Sequence, residues 1–89
     1  MISRQDLRER ILYGHFDRVG QLLKRWPADR WTEIMGKGET NVRKKIGGIF
    51  GFNLRDASAL AYYFDIDVSL MIQLINAEEE YRKNRKTKH

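Results

Sequence analysis

The sequence predicts an all-α domain of five or six short helices. Apolar side chains recur three and four positions apart along most of the chain, which is the spacing of an amphipathic helix. No stretch alternates apolar and polar residues for long enough to indicate a β-strand. With 89 residues, of which 42% are hydrophobic, the chain suffices for one domain with a modest core. We therefore expect a single helical domain over residues 1–81 and a flexible basic tail over residues 82–89.

The first helix is expected to begin near Arg4. Ser3 is followed three residues later by Asp6, which is a variant of the capping box. Apolar residues continue at helical spacing well beyond Gly14. One helix with a weak point at Gly14 and two helices that meet there both fit, since an interior Gly costs only about 1 kcal/mol. We favour a break at Gly14 and His15.

Residues 28–46 are predicted to form two short helices joined by a tight turn. Pro27 suits the first turn of a helix because its φ angle is fixed, and Gly36 marks the end of that helix. Val42 and Ile46 define the apolar face of the second helix. The apolar face of the first helix consists of Trp31, Ile34 and Met35. Two short helices joined by a Gly-containing turn are typical of the helix-turn-helix unit, whose second helix enters the DNA major groove.

A glycine-rich stretch follows this unit. Gly47, Gly48 and Gly51 are interleaved with apolar residues, and we interpret the stretch as a loop whose Phe50 or Phe52 folds back onto the core. It resembles a phosphate-binding glycine loop only weakly, because the Lys-Ser/Thr ending is missing and no strand precedes it.

Two further helices complete the domain. Asn53 is a favourable N-cap for a helix that ends at Phe64. The last helix is expected to begin after Asp67 or at Ser69 and to continue as a polar extension. Within that extension, one helix-stabilising pair is formed by Glu78 and Arg82.

Four aromatic residues are assigned by their spacing. Trp26 and Trp31 are predicted to belong to the core, and we do not expect them to stack on nucleobases. Tyr62 and Tyr63 are adjacent in a helix, so at most one of them faces fully inward.

Basic charge is concentrated in particular segments. The chain has 17 Lys and Arg against 12 Asp and Glu, a net charge of +5. Residues 1–27, 28–48 and 82–89 carry +3, +2 and +5, whereas residues 49–81 carry −5. This distribution suggests a polyanionic partner, with ordinary solubilising charge as the alternative.

The predicted turn contains Gly36, and an apolar residue, Val42, follows six positions later. A helix with a characteristic C-terminal sequence comes next. The end of this helix and the residues just after it include Leu60, Ala61, Phe64, Ile66 and Asp67. Over roughly residues 16–76 the chain resembles the lambda-repressor/Cro-like (XRE-type) helix-turn-helix family. The resemblance implies a lambda-repressor-like domain and a small DNA-binding protein, a transcriptional regulator of the phage or mobile-element type.

In this interpretation, double-stranded DNA is the partner of residues 28–46. Base contacts are expected from Thr40, Asn41, Arg43 and Lys44. Arg can bond bidentately to guanine and Asn to adenine. Phosphate contacts are expected from Arg30, Lys37 and Lys45. The alternative is that these cations form a solvated helix face.

A second hypothesis is a helical protein–protein interaction module that keeps the fold without binding DNA. One form of it is a homodimer that associates through the helix over residues 54–64 and the last helix. Glu39 favours it, because a carboxylate near phosphates is unfavourable unless it accepts from a cytosine amino group. Gly38, where the family favours Ser or Thr, also favours it. RNA in place of DNA is a third hypothesis.

Catalysis, metal binding and cofactors are not expected. The chain has no cysteine, His15 has no nearby ligand partner and His89 is terminal. No Ser/His/Asp arrangement and no small-molecule site is evident. No apolar run approaches the roughly 18 residues of a membrane span, and no signal-peptide core is present. We therefore expect a cytoplasmic protein without membrane association.

Overall fold

The computed structural model describes residues 2–86, and these form six α-helices and no β-strand. The helices are α1 (Arg4–Leu12), α2 (Val19–Leu23), α3 (Ala28–Met35), α4 (Glu39–Ile46), α5 (Leu54–Phe64) and α6 (Val68–Lys86). The prediction of an all-α fold is confirmed. The central element is α5, which packs against α1, α3 and α6, while α2 packs on α6 and α4 on α3.

The first helix begins and ends at residues that explain its limits. The Ser3 hydroxyl accepts a hydrogen bond from the Asp6 amide at 3.1 Å, so α1 starts at Arg4. It ends at Leu12, and Gly14 adopts φ 74°, in the left-handed region that favours glycine. The predicted break at Gly14 is therefore confirmed, and α2 is a separate helix.

Aromatic rings from α3, α5 and the segment between α2 and α3 form the centre of the core. Trp26 and Trp31 have ring centres 5.0 Å apart, and each lies 6.2 Å from Phe64. Trp31 Nε1 donates to Leu23 O at 2.9 Å, and Trp26 Nε1 donates to Ile2 O at 2.8 Å. Both indoles are buried with their N–H groups satisfied, so their predicted place in the core is confirmed.

A tight turn joins α3 to α4. α3 ends at Met35, and Gly36 adopts φ 66°, where a side chain would strain the backbone. α4 begins at Glu39 with Gly38 as its N-cap, so no side chain caps its first amide groups. The sequence therefore predicts the limits of both helices to within about one residue, because Gly and local spacing set them.

Lys45 and Asp56 form a buried ion pair between α4 and α5. Lys45 Nζ lies 2.8 Å from Asp56 Oδ2 and donates a second hydrogen bond to Gly51 O at 2.9 Å. The same Oδ2 accepts from the Asn53 amide at 3.0 Å, and Asn53 Oδ1 accepts from the Asp56 amide at 2.9 Å, which completes a capping box. One carboxylate therefore starts α5, orders the end of the glycine-rich loop and anchors α4.

The glycine-rich loop returns to the core through one of its two phenylalanines. Phe52 is buried, with 8% of its surface exposed, whereas Phe50 is 41% exposed. The prediction that one of them folds back is confirmed for Phe52.

The last helix continues past Arg82 to Lys86, so residues 82–86 of the predicted tail are helical. Arg82 Nε donates to Glu78 Oε2 at 3.1 Å, which confirms the predicted pair, and its Nη2 donates to Lys45 O at 2.7 Å. These bonds hold α6, at Arg82, against the last carbonyls of α4. Residues 87–89 of the predicted tail lie outside the described residues.

Glu78 is buried in α6 and completes the start of α2. Its Oε1 accepts from the Gly20 amide at 2.8 Å. Arg18, the N-cap residue of α2, provides no side-chain cap, and its Nε lies 3.3 Å from Glu78 Oε1. A carboxylate from another helix therefore complements the positive end of α2. Glu78, predicted from the sequence to lie in a polar extension, is therefore buried inside the fold.

Asp67 caps the start of α6. Its Oδ1 accepts from the amide and the hydroxyl of Ser69 at 2.9 Å and 3.0 Å. These bonds stabilise the charged carboxylate, so the pKa of Asp67 lies below its ordinary value of 3.8. Because the pKa is lowered in the folded state, this contribution to stability is present above the unfolded-state pKa and is lost as the pH falls through the lowered value.

We expect Asp56→Asn to lower the free energy of unfolding by about 3–5 kcal/mol, because Lys45 is left buried without its counter-charge. Urea unfolding followed by tryptophan fluorescence measures the change. The matched control is Glu39→Gln, the same chemical change in an exposed ion pair with Arg43, which should cost no more than about 0.5 kcal/mol. Equal small changes in both variants would contradict the structural role of Asp56.

We also expect Gly20→Ala to destabilise the fold by about 1–3 kcal/mol, because a Cβ at that position collides with the Glu78 carboxylate. Gly51→Ala is the control, since its Cβ would meet no atom nearer than 3.9 Å, and stability should stay the same or rise by less than about 1 kcal/mol. Thermal unfolding by circular dichroism compares the two, and a Gly20→Ala protein as stable as the Gly51→Ala protein would refute this packing argument.

Candidate nucleic-acid interface

One side of α4 is polar and faces away from the core. Val42 is fully buried, and a rotation of about 100° per residue places positions 40 and 44 on the opposite side of the helix and positions 41 and 43 on its two flanks. Thr40, Asn41 and Arg43 are exposed and Lys44 is half-buried. The four residues predicted to contact bases are therefore spread over the outer surface of α4, with Asn41 and Arg43 on either side of Thr40 and Lys44.

The charges on this face are held only by weak contacts. Arg43 Nη2 lies 2.9 Å from Glu39 Oε1, with 65% and 50% of the two side chains exposed. Such an exposed pair contributes about 0.5 kcal/mol or less, so Arg43 can exchange Glu39 for another acceptor at little cost. Lys44 Nζ lies 5.2 Å from the centre of the Phe50 ring, which draws that ammonium toward the glycine-rich loop.

The three residues predicted to contact phosphate have different environments. Arg30 is an exposed residue in the first turn of α3, and its guanidinium carbon lies 4.4 Å from the centre of the Trp26 ring. Lys37 is half-buried, and its Nζ lies 3.7 Å from Asp56 Oδ1. Arg30 is thus on the surface, whereas Lys37 is drawn toward an internal carboxylate.

The prediction that Lys45 contacts phosphate is wrong. Its side chain is 8% exposed, and its ammonium is bonded to Asp56 and to the Gly51 carbonyl. A buried ammonium must keep its counter-charge, because moving either charge out of water unpaired is costly. The side chain is therefore part of the support for α4.

Sequence reasoning missed Lys24, which lies beside α4. Lys24 and Arg43 line the same open groove of about 260 Å³, between the end of α2, the start of α3 and the end of α4. The floor of this groove is formed by Leu23, Trp26, Ala28, Ile46 and Gly47. Lys24 is exposed and widens the basic surface beyond the helix itself. No local pattern in the sequence could have revealed this, because the residues meet only through the packing of α3 on α4.

Across residues 2–86, no helix is long and apolar enough to cross a bilayer, and no group of His, Asp or Glu side chains is arranged as a metal site. What this surface offers chemically is a set of hydrogen-bond donors and positive charges on a rigid helix. No protein-family model matches the chain, and no curated protein or solved structure is significantly similar to it.

Proposed function

We propose that the chain is a small DNA-binding protein in which α3, the turn at Gly36 and α4 act as a helix-turn-helix unit. The observation that carries the proposal is the polar outer surface of α4, which exposes Thr40, Asn41 and Arg43 and has on its Arg43 side a groove that Lys24 also lines. A regulator of transcription of the phage or mobile-element type is the role that we infer for such a unit.

The side chains on this face suit the edges of base pairs in the major groove. Arg43 can donate two hydrogen bonds to a guanine, and Asn41 can bond bidentately to an adenine. Each well-placed pair discriminates against the wrong base by about 1–3 kcal/mol. Thr40, at the start of α4, has a hydroxyl and a methyl group for base or phosphate contacts.

Surrounding cations supply attraction that is independent of base sequence. Lys24 follows the end of α2, Arg30 lies on α3 and Lys44 on α4, and the whole chain has a net charge of +5. Phosphate contacts by such groups release counterions and make binding strongly dependent on salt. Glu39 opposes this attraction, although its pairing with Arg43 offsets part of its charge.

The support of α4 favours recognition by a preformed helix. The buried Lys45–Asp56 pair anchors one side of α4, and Arg82 bonds to its final carbonyls. A helix that is already fixed loses little conformational entropy on binding, so more of the contact energy appears as affinity.

A second candidate function, protein–protein association, is favoured by a separate surface on α5. Leu54, Ser58 and Tyr62 are exposed at four-residue spacing, and Tyr62 is 90% exposed. Ser58 and Tyr62 also line an open groove of about 1010 Å³ together with Ile34 and Ile66. An exposed aromatic beside an apolar groove is typical of interaction surfaces, and a homodimer would use it.

For the DNA-binding proposal, we expect retention of random duplex DNA at low salt that falls steeply as salt is raised. On a duplex sequence that the wild type prefers over random DNA, Arg43→Ala should weaken binding about 5- to 150-fold, the equivalent of 1–3 kcal/mol, because a major-groove donor to a base is lost. A gel-shift titration measures both effects. Arg10→Ala removes the same charge from α1, which packs on α5, and should have a much smaller effect. Absence of any shift at low salt would refute the proposal.

We further expect Glu39→Gln to strengthen DNA binding about 2- to 5-fold, because it removes a carboxylate near the phosphates and releases Arg43. Fluorescence anisotropy with a labelled duplex measures the gain, which should shrink at high salt. Weaker binding by Glu39→Gln would show that Glu39 itself contacts the DNA.

If association is the main function, sedimentation should show a dimer that Tyr62→Ala dissociates without unfolding the chain. A strict monomer that recovers no partner would count against this candidate.

A further inference from the structure

A small cleft beyond the C-terminal end of α4 is lined by more positive than negative side chains. It is lined by four cationic side chains and one carboxylate, namely Arg18, Lys24, Arg82, Arg85 and Glu78. Its volume is about 80 Å³, far below that of an ordinary organic-ligand site. The chemistry of the lining favours a small anion.

Glu78 is already shared among several donors. Its carboxylate accepts from the Gly20 amide and from Arg82 Nε, and it also lies against Arg18. One negative charge therefore faces the guanidinium groups of Arg18 and Arg82. Lys24 and Arg85 add two further positive charges, and no second carboxylate among the described residues lines the cleft. The balance of charge in this cleft is strongly positive.

Arg18 is fixed in position and is incompletely hydrogen-bonded. Its guanidinium carbon lies 3.7 Å from the centre of the Tyr81 ring, so the plane of the group is held against that ring. Its Nε is buried and lies 3.3 Å from Glu78 Oε1, but the geometry of this contact is not that of a hydrogen bond. Arg85 lies near the same ring, at 5.6 Å from its centre. Arg18 is therefore paired with Glu78 by charge, without a hydrogen bond from its Nε to that carboxylate.

The end of α4 would by itself repel an anion, because its final carbonyls carry partial negative charge. Arg82 removes this obstacle by donating from Nη2 to Lys45 O at 2.7 Å and to Ile46 O at 3.3 Å. Gly47 and Gly48 form part of the wall and present no side chain to exclude a ligand. Arg82 is thus a positioning residue. Lys24 and Arg85 also line the cleft, together with Arg18, which is paired with Glu78 and lies against Tyr81.

The cleft is continuous with the groove beside the outer face of α4. Both are lined by Lys24, Ile46 and Gly47, so positive charge extends from Arg43 around the end of the helix to Arg85. The backbone phosphates of a duplex bound at Arg43 are the oxyanions that this continuous basic surface would attract. Arginine forks suit such an oxyanion, since they can donate two parallel hydrogen bonds to it.

We infer that this cleft is a phosphate-binding site and that it takes one backbone phosphate of the nucleic acid, held by Arg18, Lys24 and Arg85. The inference rests on the proposed DNA-binding function for the identity of the ligand. The anion site itself stands on the local geometry. A phosphate clamped at the end of α4 would fix the register of the helix in the groove.

The first test uses inorganic phosphate as the probe, against chloride at equal ionic strength, and follows the amide resonances of Gly20, Gly47 and Gly48. Saturable shifts of these amides are expected in the wild-type chain and in a control double variant, Arg10→Ala with Arg55→Ala. The shifts should be lost in Lys24→Ala with Arg85→Ala. Linear shifts, or equal shifts in both double variants, would overturn the site.

The second test measures duplex binding against salt for the same two double variants. Lys24→Ala with Arg85→Ala should bind about tenfold more weakly at low salt, with a salt slope smaller by about 1 and the preference between two duplex sequences unchanged. Wild-type-like DNA binding by this variant would overturn the backbone-phosphate assignment. Saturable phosphate binding without any DNA binding by the wild type would overturn the proposed function and leave the anion site supported.

Discussion

The ion pair between Lys45 and Asp56 determines how α4 sits on the rest of the domain. The carboxylate accepts from the lysine and from the Asn53 amide, so the start of α5 and the side of α4 share one anchor. Because both charges are buried, separating them would leave an unpaired charge in the interior, at a large cost in free energy. α4, whose N-cap is Gly38 and whose first turn has no side-chain cap, is thereby held in one orientation.

A second set of contacts joins three helices at the other end of α4. Glu78 on α6 completes the first turn of α2, and Arg82, one turn later, binds the final carbonyls of α4. The two sets of contacts meet at Lys45. Its ammonium group bonds to Asp56, and its backbone carbonyl accepts from Arg82. Between them they hold α4 against α5 and α6, while the contacts on its outer face, Glu39 with Arg43 and Lys44 with Phe50, are weak.

The cations of this chain therefore fall into two groups with different physical roles. Lys45 and Arg82 are internal or half-buried and bind carboxylates and carbonyls of the fold. Lys24, Arg43 and Arg85 line the groove and the cleft at the end of α4. Net charge alone does not separate these groups. The proposed recognition of DNA depends on the second group, and the first keeps α4 in place for it.

Local sequence is enough to predict several features of this protein: the helix cap at Ser3, the break at Gly14, the turn at Gly36 and the positions of the four predicted base-contact residues on the outside of α4. These features depend on backbone preferences and on a spacing of three to four residues, which act over a single helical turn. The role of each charge, in contrast, depends on the packing of the helices. Lys45 looks like a surface cation until Asp56, 11 residues away on another helix, is placed beside it, because the environment of a charge depends on its neighbours in space and not on its neighbours in sequence.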